Sequence, residues 1–155
     1  MKLDANIINC FIASVQEILS QFGISDIKRK SLKLRSSVES KYPVTIVIGV
    51  TGDFDGNITY NLSKETAKKL ASKMMMGMPV DDLDEMAKSA LSEISNMMAG
   101  TSSAKLGALR KNTDISPPTL IIGDDITLWI SQVDTIVLEL ETSIGEIELN
   151  IGLEV

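Results

Sequence analysis

Apolar residues near the start of the chain recur every three or four positions: Ile7, Ile8, Phe11, Ile12, Val15, Ile18, Leu19 and Phe22. That period predicts an amphipathic helix over Ile7–Phe22, with Asn6 as its cap and Gly23 as its end. The pattern then switches to alternation. Ser31–Leu34 reads as a strand, and the β-branched run Val44–Val50 as a strand deep in a sheet. Gly52–Gly56 is a turn, and Asn57–Leu62 alternates again, so a hairpin joins the two runs. Ser63 opens a second helix with Ala67, Leu70, Ala71 and Met74 on one side, closed by Gly77 and Pro79. A third helix starts at Asp81 or Asp82, runs to Ala99 and stops at Gly100, with a short helix over Ser102–Leu109. After Pro117-Pro118 come strands at Thr119–Ile122, Ile126–Ile130, Thr135–Glu141 and Glu146–Ile151.

The order is helix then strands, twice, and the halves resemble each other. Thr45-Ile46-Val47-Ile48 matches Thr135-Ile136-Val137-Leu138. Gly56–Asn61 matches Gly145–Asn150, and Gln16–Ser20 aligns with Ser92–Asn96. An internal duplication accounts for this, although hairpins also resemble one another without common origin. The expected fold is one α+β domain spanning residues 1–155, an antiparallel sheet with one face buried under two long helices.

Composition narrows the chemistry. Hydrophobic residues make up 44% and charged residues 23%, as in a globular domain. The net charge of −6 disfavours nucleic-acid binding, which needs clustered cations. The basic run Lys28-Arg29-Lys30 reads as a solvated strand face. One cysteine, Cys10, rules out an internal disulfide and reads as a buried, inert thiol. No apolar run approaches the ~20 residues of a membrane span, and no signal sequence is evident, so a cytoplasmic location is expected. The chain has no histidine. Ser-His-Asp triads, Cys-His pairs and ordinary zinc sites are therefore out of reach. Catalysis here must use carboxylates, amides, hydroxyls or lysines.

The third helix is the place to look. Met86, Ala87, Ala90, Leu91, Ile94, Met97 and Met98 form its apolar stripe. Glu85, Ser89, Ser92, Glu93 and Asn96 take another side. Glu93 and Asn96, three apart, are surface neighbours. Such a pair is common, and its plain reading is a solvated face. Asn, however, costs a helix roughly half a kcal/mol relative to Ala, which hints at another use.

The surrounding segments add what the spacing lacks. Ser92-Glu93-Ile94-Ser95-Asn96-Met97-Met98-Ala99-Gly100 resembles the signature helix of the CheC/CheX/FliY family of chemotaxis phosphatases. Gly56–Ser63 resembles the family's strand-into-helix segment, Met75-Met76-Gly77 the end of its middle helix, and Ile115–Thr119 with Gly123 the segment after the signature helix. The resemblance covers nearly the whole chain. CheC-type members carry Glu-x-x-Asn on one helix of each half. Here the first helix offers only Glu17-x-x-Ser20, so the chain is most similar to the single-site CheX type, and Glu17 reads as a solvated residue.

The resemblance implies a phosphatase that docks on a phosphorylated CheY-type response regulator and hydrolyses its aspartyl phosphate. Asn96 would hold the attacking water and Glu93 would pair with the regulator's lysine. Helix geometry adds Ser89, Ser92 and Gly100 as partner-binding positions. No cofactor or metal is expected on this chain, Mg²⁺ belonging to the regulator, and a homodimer is implied. Two alternatives stay open: a receiver-binding adaptor without catalysis, and an oligomerisation module of the same fold.

Overall fold

The computed structural model describes residues 3–155. Three helices cover one face of an antiparallel sheet: α1 (Ala5–Gln21), α2 (Lys64–Met74) and α3 (Glu85–Ala108). The strands are β1 (Lys28–Arg35), β2 (Val38–Ser40), β3 (Val44–Gly52), β4 (Asp55–Leu62), β5 (Thr113–Ile115), β6 (Thr119–Ile122), β7 (Leu128–Ser131), β8 (Thr135–Thr142) and β9 (Gly145–Glu154). Seven of them form one sheet in the order β1-β8-β9-β4-β3, with β5 and β6 both on the outer edge of β3. The expected α+β architecture is the observed one.

The internal likeness has a structural counterpart. The hairpins β3–β4 and β8–β9 meet where β4 runs antiparallel to β9, with Tyr60 opposite Leu149. Thr59 faces Asn150 and Asn61 faces Glu148 on either side of that pair. This is the symmetry expected if Gly56–Asn61 and Gly145–Asn150 are equivalent. Each half also lends a strand to the other: β1 pairs β8, and β6 pairs β3. The match of Thr45 with Thr135 does not survive. Asn61 faces Thr45, but Asn150 faces Val137, two residues further on. The cause is turn length. Val50 faces Gly56 in the first hairpin, whereas Thr142 faces Gly145 in the tighter second. Gly56 itself cannot carry a side chain, because a Cβ there would lie 1.9 Å from the Gly152 carbonyl oxygen.

Alternation divides the sheet's faces. Ile58, Tyr60 and Leu62 of β4 and Ile147, Leu149, Ile151 and Leu153 of β9 are buried with Phe11, Val15 and Leu19 of α1 in one continuous core. On the other face, beneath the small β2–β7 ribbon, lies a buried polar network. Thr59 Oγ1 and Asn61 Nδ2 both donate to Asn150 Oδ1 at 2.7 Å. Ser40 Oγ on the ribbon donates to Asn61 Oδ1 at 3.3 Å. These side chains are closed off from water, so their bonds must be made internally.

Helix ends depart from expectation in three places. Asp4, not Asn6, caps α1, accepting from the Ile7 N–H at 2.9 Å. Asp84, not Asp81 or Asp82, caps α3, accepting from the Ala87 N–H at 2.9 Å. Most importantly, α3 does not stop at Gly100 but runs through it to Ala108, absorbing the short helix expected over Ser102–Leu109. A mid-helix glycine costs about 1 kcal/mol. Burial of Ser102 and Leu106 beyond it outweighs that cost. The helix ends instead where Arg110 turns left-handed (φ 63°) and the Lys111 N–H reaches the Leu106 carbonyl at 2.9 Å. The strand expected at Ile126–Ile130 begins two residues later, and the three-residue strands β2 and β5 were too short to leave a pattern.

Candidate functional site

α3 is held from behind. Ala87, Ala90, Leu91, Ile94, Ser95, Met98 and Ala99 are buried. Ser95 Oγ donates to the Leu91 carbonyl at 2.7 Å and Ser102 Oγ to the Met98 carbonyl at 3.0 Å. Each hydroxyl is thereby satisfied within its own helix, leaving a flat surface for close packing. Ser103 Oγ donates to the Thr113 carbonyl at 2.8 Å and ties the helix to β5. Met86 departs from its expected place in the stripe: it is 61% exposed. It precedes Glu93 by seven residues, close to two full turns, and so points the way Glu93 does. Met98 is buried and Met97 half-buried against the core.

The opposite side of α3 forms one wall of an open groove of about 920 Å³. Glu85, Lys88, Ser89, Ser92, Glu93 and Asn96 line this wall. Glu93, Asn96 and Ser89 are exposed and Ser92 is half-buried. Gly100, one turn beyond Asn96, is not among the lining residues. A Cβ there would sit 3.9 Å from Ile115 Cδ1, at the foot of the facing wall.

That facing wall is Ile115–Pro118 with Leu120 and Ile122. It bulges from the sheet between β5 and β6, which pair with β3 on either side of Gly49. Ser116 pins the bulge. Its N–H donates to the Gly49 carbonyl at 2.9 Å, and its Oγ accepts the Gly49 N–H at 2.8 Å. Pro117 and Pro118 have no N–H to offer a further strand. In the sequence this wall was visible as a proline pair followed by a strand at Thr119–Ile122, and as the segment Ile115–Thr119 of the family resemblance. Nothing in the pattern indicated that it would face Asn96. Lys88, which lines the same groove, carried no signal either.

The groove's chemistry is limited and specific. Asn96 offers both a donor and an acceptor, and Glu93 an anion for a cationic partner. Ser89 and Ser92 are hydroxyls without a histidine to activate them. Cys10 lies elsewhere, buried in α1, and burial pushes its thiol pKa up, which makes it a poor nucleophile. The parallel position on α1 differs. Glu17 is exposed but engaged, its Oε2 3.1 Å from Lys105 Nζ of α3. Beside it Gln16 Nε2 donates to the Ile27 carbonyl at 3.3 Å.

Residues 44–141 match the family described as chemotaxis phosphatase CheX. A CheY-P phosphatase CheX from Thermotoga maritima is 40% identical over 126 residues, covering 81% of each chain. The crystal structure of a chemotaxis protein CheX from Desulfovibrio desulfuricans superposes with a TM-score of 0.85 at 25% identity, over 96% of this chain and 99% of that one. A CheX from Borrelia burgdorferi, solved as a complex with CheY, BeF₃ and Mg²⁺, gives a TM-score of 0.79 at 26% identity, over 99% of this chain and 100% of that one.

Proposed function

Because the chain belongs to the CheX family of chemotaxis phosphatases, we propose that it hydrolyses the aspartyl phosphate of a CheY-type response regulator docked against the α3 groove. One observation carries the assignment to this site: Glu93 and Asn96 stand exposed, one turn apart, on the wall of a groove open enough for a protein surface.

Asn96 enters the regulator's phosphorylation site and its carboxamide oxygen accepts a hydrogen bond from a water. The water oxygen bonds to phosphorus as the bond from phosphorus to the aspartyl oxygen breaks. A carboxylate returns to the regulator and inorganic phosphate leaves. Little covalent chemistry is asked of the phosphatase; its contribution is position. Glu93 pairs with the lysine the regulator keeps beside its phosphoryl group, which fixes the docking angle. Ser89 and Ser92 are small and leave room for the incoming surface, whereas Gly100, outside the groove, makes room for Ile115 at the foot of the facing wall. The Mg²⁺ is the regulator's, and this chain brings no cofactor.

The single domain acts in the cytoplasm, where its regulator is phosphorylated. It works as a homodimer. The open edge of β1, where Leu34 is 62% exposed, supports pairing with a second copy; Leu34→Glu should convert a dimer to a monomer in light scattering.

The test of the reaction is phosphate release from a phosphorylated CheY-type receiver. The wild-type protein should accelerate it, and Asn96→Ala should lose about a hundredfold of the effect, with Glu93→Ala also impaired. Equal decay with and without the protein, across several receivers, would sink the reading. Tight binding without acceleration would make the protein an adaptor.

A further inference from the structure

Lys88 precedes Ser92 by four residues and Asn96 by eight, so the three share one line along the helix wall of the groove. Among the described residues it is the only cation lining the groove; the other charges there are Glu85 and Glu93. Its Nζ lies 3.3 Å from Glu85 Oε1, but the Glu85 side chain is 92% exposed. A pair so open to water is screened and holds the lysine weakly. Lys88 can leave it for a better partner at little cost.

Eight helical residues rise about 12 Å, more than one lysine side chain reaches. Lys88 therefore does not meet the group that Asn96 meets, but the rim around it. On the receiver reading above, on which this inference rests, that rim is acidic. The acyl phosphate sits with Mg²⁺, a hard cation held by carboxylate and other oxygen ligands. This chain is itself acidic, with a net charge of −6, and places two carboxylates in the groove. Without a cation there, like charges would face each other on approach.

We propose that Lys88 is a positioning residue that pairs with a carboxylate at the rim of the receiver's phosphorylation site and brings Asn96 into register. It takes no part in the chemical step.

The experiment is steady-state phosphate release over a range of phosphorylated receiver, at low and high salt, for wild type, Lys88→Ala, Lys88→Glu and Lys88→Arg. KM should rise about threefold in Lys88→Ala and about tenfold in Lys88→Glu, with kcat unchanged and Lys88→Arg near wild type. The salt dependence of kcat/KM should flatten in Lys88→Ala. A wild-type KM in Lys88→Glu, or a loss confined to kcat, overturns the proposal. Should the wild-type protein not hydrolyse at all, the phosphatase reading fails separately. Titration of a receiver loaded with beryllium fluoride and Mg²⁺ then decides the role of Lys88: weaker binding by Lys88→Glu supports it, and equal affinity overturns it.

Discussion

Ser116 grips Gly49 twice, donating its N–H to the glycine carbonyl and accepting the glycine N–H on its Oγ at 2.8 Å. The grip sets the height of Pro117 and Pro118 above the sheet, and hence the width of the groove facing Asn96. A Cβ on Gly49 would lie 3.2 Å from Ser116 Oγ, tight enough to displace it. Ser116→Ala removes two hydrogen bonds at an exposed position, the one accepted from the Gly49 N–H and the one donated to the Pro117 carbonyl at 3.1 Å, and water can replace both, so the melting temperature should fall by no more than the equivalent of about 1 kcal/mol. Gly49→Ala should behave likewise. If the facing wall matters to docking, both variants lose phosphatase efficiency well beyond their loss of stability. Paired thermal melts and phosphate-release assays read the two effects apart.

On the far face of the sheet, stability concentrates at Asn150. Its Oδ1 accepts from Thr59 Oγ1 and Asn61 Nδ2, and its Nδ2 donates to Glu148 Oε1 at 3.1 Å. Thr59, Asn61 and Asn150 are fully buried. Asn150→Ala leaves Thr59 Oγ1 without an acceptor and Asn61 Nδ2 with only the longer bond to Glu148 Oε1 at 3.3 Å, and roughly 2–4 kcal/mol of unfolding free energy should be lost. Asn61→Ala on top of it should cost less than it does alone, since the network is already broken. Urea denaturation of the single and double variants checks both statements.

The same face makes the fold sensitive to alkali. Burial, followed by the nearby carboxylate of Glu148, pushes the Tyr42 phenol from 10.0 up to about 12. Tyr60, fully buried in the core, is raised too, by burial. An acid whose folded pKa lies above its unfolded value keeps its proton longer when folded. Its contribution to stability is therefore complete below pH 10 and is lost as pH rises from 10 through about 12. Melting temperature should fall across that window, and Tyr42→Phe should flatten the fall. A fall of equal steepness in Tyr42→Phe would place the sensitivity elsewhere.

How much of this was legible depends on the length scale of the signal. The hairpin Val44–Leu62 and helix α1 announce themselves because each repeats its period several times. The three-residue strands β2 and β5 give no period to read. Gly100 looks like a stop because propensity is local, while the burial of Leu106 that carries the helix onward is not. At the site, Glu93 and Asn96 lie on one helix, so helical geometry alone makes them neighbours. The wall opposite comes from residues about twenty positions later. Its position is set by the pairing of β5 and β6 with β3, which no pattern along the chain encodes.

The first half bears on whether a second site could be restored. Ser20 holds the place on α1 that Asn96 holds on α3, by the alignment of Gln16–Ser20 with Ser92–Asn96. Ser20→Asn would complete the pair of side chains. A pair is not a site, however. Glu17 is engaged by Lys105, and Gln16 is bonded to the backbone of the segment leaving α1. The ion pair is half-exposed and weak; on α3 the partner surface has a second wall built around Ser116, and this is the harder part to supply. Ser20→Asn introduced into the Asn96→Ala background should therefore leave phosphate release at the Asn96→Ala level, and adding Lys105→Ala should not raise it. Recovery of even a tenth of wild-type activity would mean that the helix pair alone suffices and that the facing wall is dispensable.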